Sequence, residues 1–207
     1  MKHLLRGFTL LEVLIALSLT GLLVAFLGSS LVGTRTTLNM SENLSARLDE
    51  VRTAQVFLRQ ALQQSLPLPV TDTHRYTGWT FKGQAQQLSF VAAMPLGLNG
   101  GVKIHTLALT RASSQFSDLQ ISFHAYNDPD DRPWGEPQRL LREVSNLKIS
   151  YRGKDEHQQE SKWLMVWPWP HRLPHYVRID LDAHGPVRWH PLIVALRNNL
   201  EVGEVAP

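Results

Sequence analysis

The chain has 207 residues, a formal net charge of +3 and no cysteine. That length suits one globular domain with an added segment better than two full domains, and the lack of thiols excludes disulfides, cysteine nucleophiles and cysteine-based metal or iron–sulfur centres. Basic and acidic residues alternate along most of the chain, so there is no basic face of the kind that tracks a nucleic-acid backbone, and nucleic-acid binding is disfavoured.

In chain order, Lys2 and Arg6 precede an apolar stretch, residues 8–32, reading FTLLEVLIALSLTGLLVAFLGSSLV, whose only charged residue is Glu12. A bilayer core of about 30 Å needs about 20 such residues as a helix. Each Leu, Ile, Val or Phe favours insertion by roughly 0.3–0.6 kcal/mol, against a cost of about 2.5–3.5 kcal/mol for one central acid. The stretch is therefore expected to be a transmembrane helix that tolerates Glu12. The positive-inside bias puts its N-terminal end in the cytoplasm, a bias that Arg35 on the far side weakens. A cleaved secretory signal would need a shorter apolar region followed by a small-x-small site, which residues 8–32 do not supply.

Residues 33–66 change character: Leu44, Leu48, Val51, Leu58 and Leu62 recur at helical spacing with charges between them. The helix is expected to continue as an amphipathic half, from Phe8 to about Ser65, roughly 85 Å at 1.5 Å per residue. Pro67 and Pro69 end it, because proline has no amide donor and clashes with the preceding turn. In residues 67–207 short runs with strand character alternate with turn signals. The runs are Trp79–Phe81, Gln87–Met94, Lys103–Arg111, Leu119–Tyr126, Leu147–Tyr151, Trp163–Trp167, Tyr176–Asp182 and Val187–Leu196, the last two joined at His184-Gly185-Pro186. No internal repeat interrupts them. The expected fold class is α+β, a long N-terminal helix whose apolar stripe covers an antiparallel β-sheet.

The junction Gly7-Phe8-Thr9-Leu10-Leu11-Glu12-Val13-Leu14-Ile15-Ala16 resembles the leader junction of type IV pilins and type II secretion pseudopilins. In that family a prepilin peptidase cuts after the glycine and methylates the new N-terminus, which implies processing between Gly7 and Phe8, a leader at 1–7 and a pilin-like fold. The family's glutamate at the fifth mature position maps onto Glu12. Physical reasoning agrees, since an acid within a bilayer requires a partner and none lies near it in this segment. The amine freed at Phe8 is one turn away in the same helix, and pairing with the amine of a neighbouring subunit would couple charge neutralisation to filament growth. The other reading is a helix-start acid stabilised by the dipole.

Leu140-Leu141-Arg142-Glu143-Val144 with Leu147 and Tyr151, then Trp163, Trp167-Pro168, Leu173-Pro174 and a closing hairpin, is similar to the general secretion pathway protein J family of minor pseudopilins. That resemblance implies a bacterial inner-membrane subunit with its globular domain in the periplasm. It also implies partners among the I, K and H types at a pseudopilus tip, prepilin peptidase as processing enzyme, and no cofactor. The alternative within the same superfamily is a minor pilin of a type IV pilus or competence system, whose members often carry a disulfide that this chain lacks.

The remaining chemistry-bearing residues read more plainly. His171 and His175 have the spacing of two ligands on a helix face, but Pro170 and Pro174 spoil that helix, and neither H-E-x-x-H nor G-x-S-x-G occurs. A membrane-anchored periplasmic hydrolase, the reading from a different class, therefore lacks a nucleophile–base motif, and no catalytic residue is named. Asp128, Asp130 and Asp131 form an acidic turn without the glycine and glutamate of an EF-hand, so no metal ligand is assigned. Trp163, Trp167 and Trp169, set among prolines, are the candidate partner-contact residues, because rigid aromatic side chains lose little entropy on binding. Core packing is the equal alternative.

Overall fold

The computed structural model describes residues 9–71, 78–94, 101–126, 128 and 132–197, those at 27–39 by their helical backbone alone. One helix, α1, runs Leu10–Gln63. Among the described residues seven strands follow: β1 Phe81–Gly83, β2 Gln87–Met94, β3 Gly101–Arg111, β4 Ser117–Ala125, β5 Gln138–Arg152, β6 Tyr176–Ala183 and β7 Leu192–Ala195. Each pairs antiparallel with its neighbour in sequence, giving one sheet of order β1-β2-β3-β4-β5-β6-β7. The chain divides into two compact units, 1–46 and 47–207, so the last turns of α1 belong with the sheet.

Within the second unit, Val51, Ala54, Leu58, Ala61 and Leu62 are all buried, while Arg52, Arg59 and Gln60 are exposed. Spacings of three and four put the apolar set on one helical face. That stripe meets the inward residues of the strands, among them Leu88, Leu107, Ile121, Leu141, Leu147, Ile149, Val177, Ile179 and Val194, in one core. Ser65 closes the helix by donating its amide to the Leu62 carbonyl at 3.2 Å, two residues before Pro67. The chain then crosses to the other side of β2. Leu66 donates to the Val91 carbonyl at 2.7 Å, and a second cluster of Trp79, Val91 and Ile104 is covered by Leu66, Leu68 and Val70. Strand β2 is thus buried on both faces, which explains its nearly unbroken apolar sequence.

Strand β5 is where the sheet curls. Its first half pairs with β4 and its second half with β6, with the register slipping at Val144–Asn146. Glu143, just before the slip, has a φ of 54°, a left-handed conformation that marks a bulge. Beyond the bulge the β4-facing side of β5 is taken up by other segments: Ile149 donates to the Ala85 carbonyl at 2.8 Å, and Tyr151 exchanges backbone bonds with Leu164. The same segment then reaches β1, since Trp167 donates to the Gly83 carbonyl at 2.9 Å and the Pro170 carbonyl accepts from Thr80 and Phe81. Residues 164–170 therefore act as a strap between β5 and β1. Tyr151 fills the closure, its ring edge-on to Phe81 at 5.7 Å and its hydroxyl donating to the Gln84 carbonyl at 2.7 Å. A Cβ on Gly83 would stand 2.6 Å from that ring, so only glycine fits there.

Several boundaries differ from the sequence reading. Strand β5 begins at Gln138, nine residues before the expected run Leu147–Tyr151, because the bulge breaks period-two alternation: Leu141, Val144 and Leu147 are buried at spacings of three. The run Trp163–Trp167 leads into the strap, with a single bridge at Leu164, and is not a ladder strand. Strand β7 is limited to Leu192–Ala195, so the connection through Gly185, whose φ is 118°, is longer than a tight hairpin. Its outer edge is blunted by α1, from which Gln55 donates to the His190 carbonyl at 3.1 Å and Arg59 to the Ile193 carbonyl at 3.3 Å.

Candidate functional site

The sequence points first to the N-terminal junction. Gly7 and Phe8 lie outside the described residues, as do Asp130 and Asp131 of the acidic turn. Thr9 opens α1 as its cap: its carbonyl accepts the Glu12 amide at 3.1 Å and its hydroxyl accepts the same amide at 3.3 Å. This holds Glu12 in the first turn, where the helix dipole favours a carboxylate. Among the described residues no basic side chain pairs with it.

From Leu10 to Phe26 the large apolar side chains stand in the open, Leu10 at 85 % and Phe26 at 77 % exposure. The polar ones turn inward on their own helix. Ser18 donates to the Leu14 carbonyl and Thr20 to the Ala16 carbonyl, both at 2.8 Å. Those i−4 bonds leave neither hydroxyl in need of water, which is what an apolar surrounding requires. Among the described residues no helix is long and apolar enough to cross a membrane. Side chains of the expected spanning segment, 8–32, are described only from Thr9 to Phe26.

The three tryptophans separate. Trp167 is 4 % exposed, donates its indole N–H to the Arg172 carbonyl at 2.8 Å and lies edge-on to the half-buried Trp169 at 4.8 Å. Both belong to the packing of the strap. Trp163 is exposed, with Met165 and Val166 beside it. Tyr151 points inward opposite Leu164, so alternation sends Trp163 and Met165 to the outer face, where Tyr176 and Ile193 are exposed too. Arg152 on this face is held by Glu160 at 3.4 Å, and His175 pairs with the same carboxylate at 2.6 Å. His171 is exposed, and among the described residues no three His, Cys, Asp or Glu side chains converge as a metal site.

Two features were not anticipated. One is a polar clamp on the β5 bulge. Arg47 donates to the Arg142 carbonyl at 2.9 Å and the His184 carbonyl at 2.8 Å, while Glu50 accepts the Arg142 amide at 2.9 Å and pairs with Arg47 at 2.7 Å. Asp118 accepts the Glu143 amide at 3.3 Å, so the left-handed residue is held through its own amide and through its neighbour Arg142. Burial would raise the Glu50 carboxyl, but the Arg47 hydrogen bond, the Arg142 amide and the two guanidinium charges outweigh it and hold the group below its ordinary range. Its partners are about a hundred residues apart in sequence, and no local pattern announces them.

The other is a groove of about 570 Å³ between α1 and the segment entering β5, lined by Ala54, Phe57, Phe123, Trp134 and Leu140 with Thr53, Glu136, Gln138 and Arg139 at its rim. Behind its Phe123 wall the His105 ring lies tilted against Phe90 at 5.1 Å and edge-on to Phe123 at 5.0 Å. Its ring nitrogens make no hydrogen bond of good geometry. Desolvation lowers its pKa to about 4, although a backbone contact at Ala92 leans the other way. In the sequence the groove shows only as Trp134-Gly135, an aromatic beside a turn glycine whose φ is 71°.

Comparison with known proteins follows the same lines. Residues 31–189 match the family described as Type II secretion system (T2SS), protein J, and residues 5–28 match the Prokaryotic N-terminal methylation motif. A curated relative from Xanthomonas campestris pv. campestris, named Type II secretion system protein J, is 32 % identical over 198 residues, covering 92 % of this chain and 92 % of its own.

Proposed function

This chain belongs to the type II secretion system protein J family and is a minor pseudopilin of that system; we propose that it acts by assembling, after cleavage between Gly7 and Phe8 and methylation of Phe8, at the tip of a periplasmic pseudopilus. The observation that carries the reading is the described run Leu10–Phe26, which is apolar outward, back-bonded at Ser18 and Thr20, and holds one carboxylate, Glu12, in its first turn. Residues 8–32 cross the inner membrane with the N-terminus cytoplasmic, and 67–207 lie in the periplasm. Residues 33–66 carry the helix from one to the other. No catalytic residue takes part.

Glu12 neutralises the Phe8 amine of an adjoining subunit as it enters the filament. Prepilin peptidase is the processing enzyme, and the I, K and H types of minor pseudopilin are the partners. Trp163, the exposed member of the tryptophan set, is the partner-contact residue, with Trp167 and Trp169 setting the strap that carries it. Replacing Glu12 by Ala should leave cleavage intact and abolish co-purification with the I and K subunits and secretion of a folded cargo. Normal secretion by Glu12→Ala would refute the assembly role.

A further inference from the structure

The polar clamp on the β5 bulge stands where α1 begins to be held. Residues 40–46 of the helix are all exposed, and Arg47 is the first that is not. Apolar packing beyond it is graded. Leu58 and Leu62 are wholly buried among the strands. Over residues 47–54, by contrast, Val51 and Ala54 alone are buried, and Ala54 borders the open groove. The first two docked turns therefore lean on the clamp more than on the core, which makes them a unit able to open locally.

The charged groups around Glu50 come from four elements. On α1, Arg47 pairs with it at 2.7 Å and the exposed Asp49 precedes it. On β5, Arg142 offers a guanidinium at 3.4 Å as well as its amide. Asp118 of β4 pairs with Arg139 at 3.6 Å, and His184 after β6 approaches Glu143 at 3.5 Å. Arg47 is the decisive member, because its side chain is only 10 % exposed and its other partners, the Arg142 and His184 carbonyls, are neutral. A guanidinium so buried needs a carboxylate to balance it. Once the Glu50 charge is gone, the lower-energy course is for Arg47 to move into water, which the exposed turn before it allows. We propose that Arg47 and Glu50 form an acid-sensitive latch: neutralising Glu50 undocks residues 47–54 from the sheet while the turns of Leu58 and Leu62 stay in the core. Opening adds about 12 Å, eight residues at 1.5 Å each, to the length of α1 that is free of the sheet. The Glu50 carboxyl is held below its ordinary value of 4.5, so the latch is closed above that value and opens as the pH falls through the lowered one.

The test is hydrogen exchange on the full-length chain in detergent micelles, corrected for the intrinsic rate at each pH and read as the ratio of exchange in residues 47–54 to that in 58–63. Titration of the buried His105 acts on the whole core and cancels in this ratio. Glu50→Gln keeps the shape and the acceptor oxygen without the charge. At neutral pH it should raise the ratio about tenfold, the effect of losing one charge-assisted hydrogen bond. The parent's ratio should stay low at neutral pH and climb toward the variant's only below about 4.5, while the variant's ratio should not depend on pH. A ratio that the substitution leaves unaltered, a parent ratio that stays flat through the acid range, or residues 58–63 opening to the same extent as 47–54 would overturn the latch.

Discussion

Leu14 and Leu58 stand on one continuous helix, yet Leu14 is 57 % exposed and Leu58 is 0 % exposed. The same contrast separates the two units. In residues 47–207 most large apolar side chains go into a core that one curled sheet and the last turns of α1 close between them. In residues 9–26 they are turned outward, and the exposed Ser18 and Thr20 donate their hydroxyls to carbonyls of their own helix. Hydrophobicity alone is thus a poor guide to what a segment does. What the apolar side chains meet tells the two uses apart, since Leu58 packs on the inner face of the sheet while Leu14 stands in the open.

The sharpest way to break this contrast is a matched pair of truncations. Leu58→Ala should destabilise the globular unit by about 2–5 kcal/mol, as a buried leucine does. Leu14→Ala should change it by no more than about 0.5 kcal/mol and should weaken retention in membranes instead. Denaturant titration of the full chain in detergent, followed by tryptophan fluorescence, reads the first effect, and carbonate extraction of membranes reads the second. Equal destabilisation by both would mean that the first unit also relies on its own packing.

Acid sharpens it further. His105 has an ordinary pKa of about 6.5 and is lowered to about 4 by burial. The folded state therefore binds fewer protons than the unfolded state between those values. Stability from this group is fully present above about 6.5 and falls as the pH drops toward about 4, by roughly 3 kcal/mol at the limit. His105→Leu should flatten that part of the pH profile. A profile identical to the parent's would show that other groups control it. A smaller effect is expected at the strap: Gly83→Ala forces the Tyr151 ring to move and should cost about 1–3 kcal/mol, whereas glycine-to-alanine at Gly21, where nothing lies within 4 Å, should be tolerated. Comparable losses at the two glycines would contradict the closure described for residues 164–170.

The sequence was most legible where one physical pattern ran unbroken. The 3.6-residue stripe from Val51 to Leu62 and the short β-rich runs of β2, β3, β4 and β6 announced a helix on an antiparallel sheet. The density of the Gly7–Ala16 junction announced the family. Legibility failed where a local pattern was cut for a distant reason. Glu143 shifts the phase of β5 because Arg47, Glu50 and Asp118 hold it from elsewhere in the chain. Trp163 and Trp167 looked alike in sequence, yet the backbone bond from Trp167 to Gly83 buries one while alternation exposes the other. The groove was missed for the same reason: Phe57 and Trp134 meet only through the tertiary fold.

The central claim is that the exposed apolar segment is a processed membrane and filament anchor. Intact mass and N-terminal sequencing of the chain recovered from membranes of cells with and without prepilin peptidase test it most directly. The expected result is a chain that starts at N-methylated Phe8 only where the peptidase is present. An uncut chain in both strains, or a cut beyond residue 32, would contradict it.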